Sequence, residues 1–347
     1  MEEQIQNILN KSQEQQKVMT GMRPTGKMHL GHLVAVLKPY LELQELSALE
    51  DNLANPSFMI ADIHSITTRN TKDDFKTAES RMLEFTKDLI ASGVDPNKSI
   101  IYAQSTIPEH LEIGYLLSKL VSVGRLERNP TYKDWIQKLK SPTASLFLYP
   151  VLQAGDILAN DGTIIPVGQD QLPHLEISRE IARKVNDMAG YELFRVPNGL
   201  EMLNEVMLGT DGQKMGKSAG NTIDLGESDK SYQKKIRKMV TDPEKTESNS
   251  YVGHPEICSV YTYHKFFSQD LSRIKEECKQ GSLLCGNCKK GLEATIAPYI
   301  ESFRDRRANL SDDVVYDVLR EGQKKTQEIA SEKLDGLKSM MGIKYHF

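Results

Sequence analysis

Residues 17–20 form a short β-capable stretch that runs into a glycine-rich turn at 21–32. The apolar run Leu33-Val34-Ala35-Val36-Leu37 follows, and a helical pattern continues through Tyr40, Leu41 and Leu46. Strand, glycine turn and helix in that order leave little freedom of fold, because a parallel neighbour is then needed to pair the strand. Such neighbours are present. The short apolar runs at 56–64, 99–105 and 163–168 read as further strands, with helical sequence between them, as from about Lys72 to Ala91. Strands alternating with helices predict an α/β protein with a doubly wound parallel sheet covered on both faces and a binding crevice at the carboxyl ends of its strands.

Two segments carry the chemistry. The first contains Arg23, Thr25 and the run His29-Leu30-Gly31-His32; the second contains Lys214-Met215-Gly216-Lys217-Ser218. A helix beginning near Met28 would turn unpaired N–H groups toward an anion, and Gly21 and Gly26 permit unusual backbone angles or close approach. His29 and His32, three apart on that helix, would share a face and reach one phosphate. Gly31 between them lacks a side chain, so a flat base can rest on its backbone. Either histidine alone would fit an ordinary capped turn. Joined to a distant pair of ammonium groups and a serine, they describe a triphosphate site, in which Lys214 and Lys217 gain most as charge moves onto departing pyrophosphate.

A chain of 347 residues with 39% hydrophobic residues can build two domains and a substantial core. The formal charge of −4 does not advertise nucleic-acid binding, although residues 230–238 offer a local basic helix for which RNA contact and a solvated face are both open. The polar amino end and the lack of a long apolar run predict a cytoplasmic protein with no membrane segment.

In the run Tyr149-Pro150-Val151-Leu152-Gln153-Ala154-Gly155-Asp156, Gln153 and Asp156 share one face of a helix expected to begin near Pro150. Among apolar neighbours Asp156 needs a donor, which an indole N–H supplies without charge; a capping or surface-paired carboxylate is the ordinary alternative. All four cysteines fall late, as Cys258, Cys278, Cys285 and Cys288, in the pattern C-x19-C-x6-C-x2-C, with a tight knuckle expected around Gly286 and Asn287. Four thiolates suit tetrahedral Zn2+ or a cubane iron–sulfur cluster, and free structural thiols are the alternative.

On the two signatures, His29-Leu30-Gly31-His32 and Lys214-Met215-Gly216-Lys217-Ser218, the chain resembles class I aminoacyl-tRNA synthetases of the tryptophanyl/tyrosyl subgroup, and within it the bacterial tryptophanyl enzymes. The resemblance covers nearly all residues after the first fifteen or so. It departs from the usual pattern at Gly216, where the family has serine, and at Met19, where it often has an aromatic residue.

The resemblance implies a Rossmann-like catalytic domain with a helical anticodon-binding domain. It also implies ATP and Mg2+ as reaction partners, L-tryptophan and tRNA(Trp) as substrates, a symmetric homodimer, and no role for DNA or a membrane. The reaction so implied is attack of the tryptophan carboxylate on the ATP α-phosphorus, followed by transfer from the adenylate to a ribose hydroxyl of tRNA.

By matching position, the ATP set comprises Arg23, Thr25, Gly31, Gly168, Asp170 and Met215, with His29, His32, Lys133, Lys214, Lys217 and Ser218 as the catalytic groups. The tryptophan set comprises Met19, His64, Tyr149, Gln153, Asp156 and Gln171, with Gln104 behind it. The four cysteines match a series that holds a [4Fe-4S] cluster in some bacterial relatives, with Zn2+ as the rival.

The expected organisation is a polar extension at 1–16, a catalytic domain at 17–217, a helical domain at 218–322 and a last helix at 323–347 packing back on the first domain. Helical composition lies near 228–240, 261–279, 289–307, 312–320 and 323–341. Gln153 keeps a tyrosyl enzyme open as an alternative. Gly216 and Met19 likewise leave open a non-catalytic amino-acid or RNA-binding paralogue, and a nucleotidyltransferase making another adenylate would share the two signatures.

Overall fold

Parallel pairing organises the catalytic half. The computed structural model describes residues 2–10, 14–67, 71–138, 141–201, 207–213, 215–216, 219–248 and 251–345. Strands β1 (Met19–Met22), β2 (Ser57–Ile60) and β3 (Ile100–Ala103) form one parallel sheet in the order β1-β2-β3, while β4 (Ile164–Val167) pairs in parallel with β5 (Asn198–Glu201). A parallel bridge between Val18 and Ile164 joins the two, and the Lys17 amide donates to Thr163 Oγ1 at 2.8 Å. The spatial order is therefore 3-2-1-4-5. The chain winds one way from β1 to β3 and the other way from β4, so the switch point lies between β1 and β4, where ligands of doubly wound sheets bind. The turns at 23–29 and 168–171 open from the ends of those two strands.

The expected strands are present, but shorter. Residues 62–64 are not strand: Asp62–Ile66 is a helical turn, with Asp62 accepting from the Ser105 amide at 2.9 Å. The fifth strand, Asn198–Glu201, lacks the apolar run by which the others are recognised.

A helix at Ala144–Ala159 begins two turns before the expected start, with Thr143 as its cap, and Pro150 lies inside it. Pro150 cannot donate to the carbonyl of Leu146, yet the flanking apolar residues hold the helix together; Val151, Ala154, Ile157 and Leu158 are buried. This helix lies directly on Pro108–Ser118. A Cβ on Gly155 would stand 2.8 Å from the Gly114 Cα and from the His110 carbonyl. The absence of that Cβ brings His110 within reach of Asp156.

Beyond the sheet, the helices are Asp229–Lys238, Ser259–Phe267, Leu271–Lys279, Cys285–Ala308 and Asp312–Met340. The last is one continuous helix of 29 residues where two segments were expected. It lies against β3, and Gly322 makes this possible, since a Cβ there would overlap the Ile101 carbonyl. One apolar core runs from Leu30, Val34 and Phe58 through Ile223 and Tyr232 to Tyr263, Ile296 and Val315, so the helical region shares its interior with one flank of the sheet. A second core surrounds Met19, Tyr102, Val151 and Ala154 and takes in Ala330, Leu334 and Leu337 of the last helix. At the amino end, Glu2–Leu9 is helical and buries Ile5 and Leu9 against Leu43, Leu53 and Leu200. No helix among the described residues is long and apolar enough to cross a membrane.

Candidate active site

His29 does not begin a helix from within; it caps one. Its backbone is extended (φ −132°, ψ 169°), and Leu30–His32 forms the first turn, followed by a wide turn at Leu33–Leu37 and the helix Lys38–Ser47. The two imidazoles nevertheless meet, stacked with ring centroids 3.7 Å apart. The amide of His29 donates to His32 Nδ1 at 3.3 Å.

The second segment is fastened to the first by backbone pairing. Leu30 donates to the Ile223 carbonyl and Leu225 to the Met28 carbonyl, both at 2.9 Å, with His29 and Asp224 bridged antiparallel. Met215 then lies over Gly31: a Cβ on Gly31 would be 2.8 Å from the Met215 sulfur and 3.0 Å from the His29 ring. Gly216 donates its amide to Asn221 Oδ1 at 2.8 Å, and Asn221 Nδ2 donates to Asp211 Oδ1 at 2.9 Å, which ties the loop's two ends together. Lys214, Lys217 and Ser218 lie outside the described residues. Their neighbours Met215 and Gly216 bring this stretch of chain to the histidines.

At the end of β4, Gln171 donates to Asp170 Oδ2 at 2.8 Å, and a Cβ on Gly168 would fall 2.9 Å from Asp170 Oδ1. Tyr149 reaches across from the Ala144–Ala159 helix, its hydroxyl donating to Gln171 Oε1 at 3.0 Å and lying 2.8 Å from His174 Nδ1. His174 Nε2 meets Asn129 Oδ1 at 3.1 Å. Burial pushes His174 down to about 4, so the imidazole is neutral at ordinary pH. The Tyr149 phenol is raised by burial and by the Asp170 charge, with Arg23 close enough to pull the other way. Arg23 itself is exposed, as is Lys133 on the helix Pro130–Lys138. The structure gathers Tyr149, Gln171 and Asp170 with His174 and Asn129, and Arg23 is near enough to act on the Tyr149 phenol by its charge. Lys133 has its side chain in solvent, apart from that network.

Asp156 is 1% exposed and sits in a ring of donors. Gln104 Nε2 reaches its two oxygens at 2.9 and 3.0 Å, His110 Nδ1 reaches Oδ1 at 2.9 Å and His64 Nε2 reaches Oδ2 at 2.9 Å. Burial alone would raise this carboxyl; hydrogen bonds from His110 and His64 more than offset it and hold the group below the usual carboxylate range. Asn160 fixes the arrangement from behind, donating toward His110 Nε2 at 3.1 Å and Tyr102 Oη at 2.7 Å. The His64 ring stands edge-on to Tyr149 at 5.3 Å, which joins this cluster to the Tyr149 network. Met19 is buried on β1 as part of the same core.

A family described as class I tRNA synthetases (W and Y) matches residues 11–299. The chain belongs to this family. The tryptophan–tRNA ligase of Thermotoga maritima is 39% identical over 345 residues, covering 95% of this chain and 100% of that protein. That of Aquifex aeolicus is 32% identical over 406 residues, with 94% and 100% covered. Among solved structures, the tryptophanyl-tRNA synthetase of Campylobacter jejuni complexed with ADP and tryptophan superposes with a TM-score of 0.80 at 32% identity, covering 94% of this chain and 99% of that one.

In this synthetase the late cysteines also come together. Cys258, Cys278, Cys285 and Cys288 line one small cavity of about 20 Å³ with Asp242, Lys245, Tyr261 and Leu283. Cys285 and Cys288 occupy the first turn of Cys285–Ala308, capped by Leu284, rather than the expected knuckle. Lys245 Nζ is buried with no hydrogen-bond partner among the described residues. Cys288 Sγ also lies 3.3 Å from His264 Nε2. Among the described residues, no three His, Cys, Asp or Glu side chains are drawn closely enough together to hold a single metal ion.

The sequence assigns no individual role to His110, His174, Asn129 or Asn160, each a polar residue in or beside a helix whose partners lie on other elements.

Proposed function

We propose that this synthetase activates L-tryptophan with ATP and transfers it to tRNA(Trp). The observation that carries the reading is the backbone pairing that brings Met215 of the lysine loop over Gly31 of the histidine segment. A nucleotide held there meets the imidazoles of His29 and His32, and we assign the ammonium groups of Lys214 and Lys217 and the Ser218 hydroxyl, from the same loop, to its phosphates. Arg23 and Thr25 line the entry, while Gly168 and Asp170 approach the ribose.

Tyr149 and Gln171 hold the ammonium and carboxylate of tryptophan so that a carboxylate oxygen faces the α-phosphorus in line with the departing pyrophosphate. The oxygen–phosphorus bond to the amino acid forms as the bond to the β-phosphate bridge breaks, and pyrophosphate leaves with its electron pair. No protein nucleophile or base is required, because the carboxylate is already the attacking group. Preorganised charge supplies the acceleration, with about 10²–10³ in rate expected from a single well-placed donor. Mg2+ adds charge neutralisation on phosphate oxygens when bound, and water and phosphate would supply most of its ligands. A terminal ribose hydroxyl of tRNA then attacks the carbonyl carbon, its proton is lost and AMP leaves.

The relatives bearing the tryptophan name support tryptophan over tyrosine. Exposed Lys230, Lys234 and Lys238 on Asp229–Lys238 support RNA contact, whereas Arg237 is held by Glu293 at 2.9 Å. Leu111, Tyr115, Val123 and Leu148 are 45%, 78%, 62% and 41% exposed on three neighbouring helices, Pro108–Ser118, Val123–Glu127 and Ala144–Ala159. These exposed apolar side chains support a symmetric homodimer.

The four-thiol cavity fits a metal group by its donor set, and the buried Lys245 ammonium suits an anionic occupant. Zinc at about 2.3 Å from each sulfur would need thiols roughly 3.8 Å apart. The resemblance of the four-cysteine series to cluster-bearing relatives supports [4Fe-4S] over Zn2+, and the cluster would here brace the helical region; no step of the reaction needs an electron. Anaerobic purification should give a brown protein with about four Fe per chain, against a colourless one with one Zn.

The test of function is ATP–pyrophosphate exchange driven by tryptophan, tyrosine or phenylalanine. Tryptophan alone should drive it. Exchange with tyrosine instead would make this the tyrosyl enzyme, and no exchange with any of the three would make it a binding paralogue or another adenylating enzyme.

A further inference from the structure

The histidine segment is paired along one side by residues 222–225, with Asp224 bridged antiparallel to His29. Alternate residues of an extended stretch turn their backbone groups to opposite edges. On the edge that faces the histidines, the Ile223 carbonyl accepts from Leu30 and the Leu225 amide donates to Met28, each at 2.9 Å. On the other edge the partners are side chains rather than a strand. Lys235 Nζ donates to the Thr222 carbonyl at 2.8 Å, and Glu227 Oε1 accepts the Asp224 amide at 3.1 Å.

Those two side chains are themselves joined. Lys235 is ion-paired with Glu227, whose side chain is only 11% exposed and also accepts from the Ser231 hydroxyl at 2.8 Å. Arg304 of Cys285–Ala308 donates to the Glu227 carbonyl at 3.2 Å and to Asp229 Oδ1 at 2.7 Å, which fixes the turn leading into Asp229–Lys238. Burial of Ile223, Leu225, Tyr232 and Ile236 puts this helix and the stretch into one core, but apolar contacts are non-directional and leave the register free. Two polar anchors, two residues apart on one edge, do not. A slip of one residue would turn the Thr222 carbonyl and the Asp224 amide away from both side chains and leave a buried carboxylate short of its donors.

We propose that Glu227 and Lys235 are positioning residues for the activation of the nucleotide, a side-chain substitute for a strand edge that sets the register of 222–225 and thereby the place of His29 against the phosphates. The inference rests on the functional reading above. Neither residue is assigned a contact with ATP; each acts through the backbone beside the imidazole. The Asp156 and Tyr149 networks share no hydrogen-bond partner with either residue among the described residues, so the consequence falls on the use of ATP.

Tryptophan-dependent pyrophosphate exchange is measured at varied ATP and at varied tryptophan in the wild type, Lys235→Met, Lys235→Arg, Glu227→Gln and His29→Ala, and in His29→Ala combined with Lys235→Met or with Glu227→Gln. Lys235→Met should lower kcat/KM for ATP by at least about tenfold, the scale of one lost hydrogen bond to a charged group, with KM for tryptophan changed by less than about twofold. Glu227→Gln should show the same selectivity with a smaller loss, because its carboxamide still accepts the Asp224 amide. Lys235→Arg keeps a charged donor and should stay within about threefold of the wild type. Added to His29→Ala, Lys235→Met should cost no more than about threefold further, since the imidazole through which it acts is gone.

Equal effects on KM for ATP and for tryptophan, no effect of Lys235→Met, an arginine variant as impaired as the methionine one, or losses that multiply in full on His29→Ala would each overturn the assignment. If Lys235→Met does not fold, Glu227→Gln alone and with His29→Ala decides by the same criteria. A wild type without tryptophan-dependent exchange overturns the functional reading itself, and is told apart because it fails before any variant is compared.

Discussion

His174 is a titratable group whose burial has a consequence in solution. Its imidazole is held down to about 4 by desolvation, against an ordinary value near 6.5. Between those values the unfolded chain takes up a proton that the folded chain refuses, so stability rises with pH across that window. The contribution is complete above about 6.5 and is lost as pH falls toward 4. Urea unfolding followed from pH 7 to pH 4 should show this loss, and a His174→Gln variant should flatten it by up to a few kcal/mol. Gly216 gives a second residue-scale prediction. A Cβ there meets nothing within 4 Å among the described residues, so Gly216→Ser should fold normally and give exchange rates equal to or a few-fold above the wild type. Loss of activity in that variant would show that the loop depends on the glycine.

At this scale the sequence is legible where residue type and chemistry coincide, as at His29, His32 and Asp156, polar groups in glycine-rich or apolar surroundings, whereas Tyr149 and Gln171 are reached only through the family resemblance. The supporting groups were not legible. His110 meets Asp156 because two helices touch at Gly114 and Gly155, a contact between elements that no local pattern encodes.

Among the elements, Cys285–Ala308 joins the two centres of interest. Its first turn carries two of the cavity thiols, and about 36 Å of helix later its last turn carries Arg306 and Arg307. Arg307 Nε donates to Asp88 Oδ1 at 2.5 Å, Arg306 Nε donates to the Ala91 carbonyl at 2.6 Å, and Asp88 Oδ2 accepts the Met28 amide at 3.3 Å. Met28 immediately precedes His29. Arg307→Gln should therefore raise KM for ATP in exchange more than it changes KM for tryptophan, with a shift of several-fold; equal effects on both, or none, would show that Asp88 holds Met28 without the arginine. Cys288→Ser should lower the thermal midpoint of the helical region and, under the cluster reading, reduce bound iron.

Element boundaries were less legible than element types. Proline favours the first turn of a helix and so marks a start near Pro150, yet the apolar run from Leu146 to Leu158 buries enough surface to carry the helix through it. The break expected near residue 322 is instead a glycine at which the last helix meets β3, a close approach that sequence presents as a helix breaker.

Taken as a whole, the molecule brings the candidate site to one topological feature. The order 3-2-1-4-5 sets the ends of β1 and β4 side by side, and the segments that follow them supply the histidines and the Gly168-Asp170-Gln171 turn. Alternation of strands and helices made the sheet class readable, whereas the strand order required the Val18–Ile164 bridge, which joins residues far apart in sequence. The last helix returns to this half through Lys333, which meets Asp161 at 2.9 Å beside Arg195 at 2.6 Å. The helical region is thus built onto the same core that carries the sheet.

On this reading the histidine segment and the lysine loop act on one triphosphate. A double-mutant cycle on tryptophan-dependent pyrophosphate exchange, with His32→Ala, Lys217→Ala and the pair, decides whether they do. Groups sharing one transition state are expected to be non-additive, with the double variant at least about tenfold faster than the product of the single losses predicts. Losses that multiply without coupling would mean that the two segments do not meet on the same nucleotide.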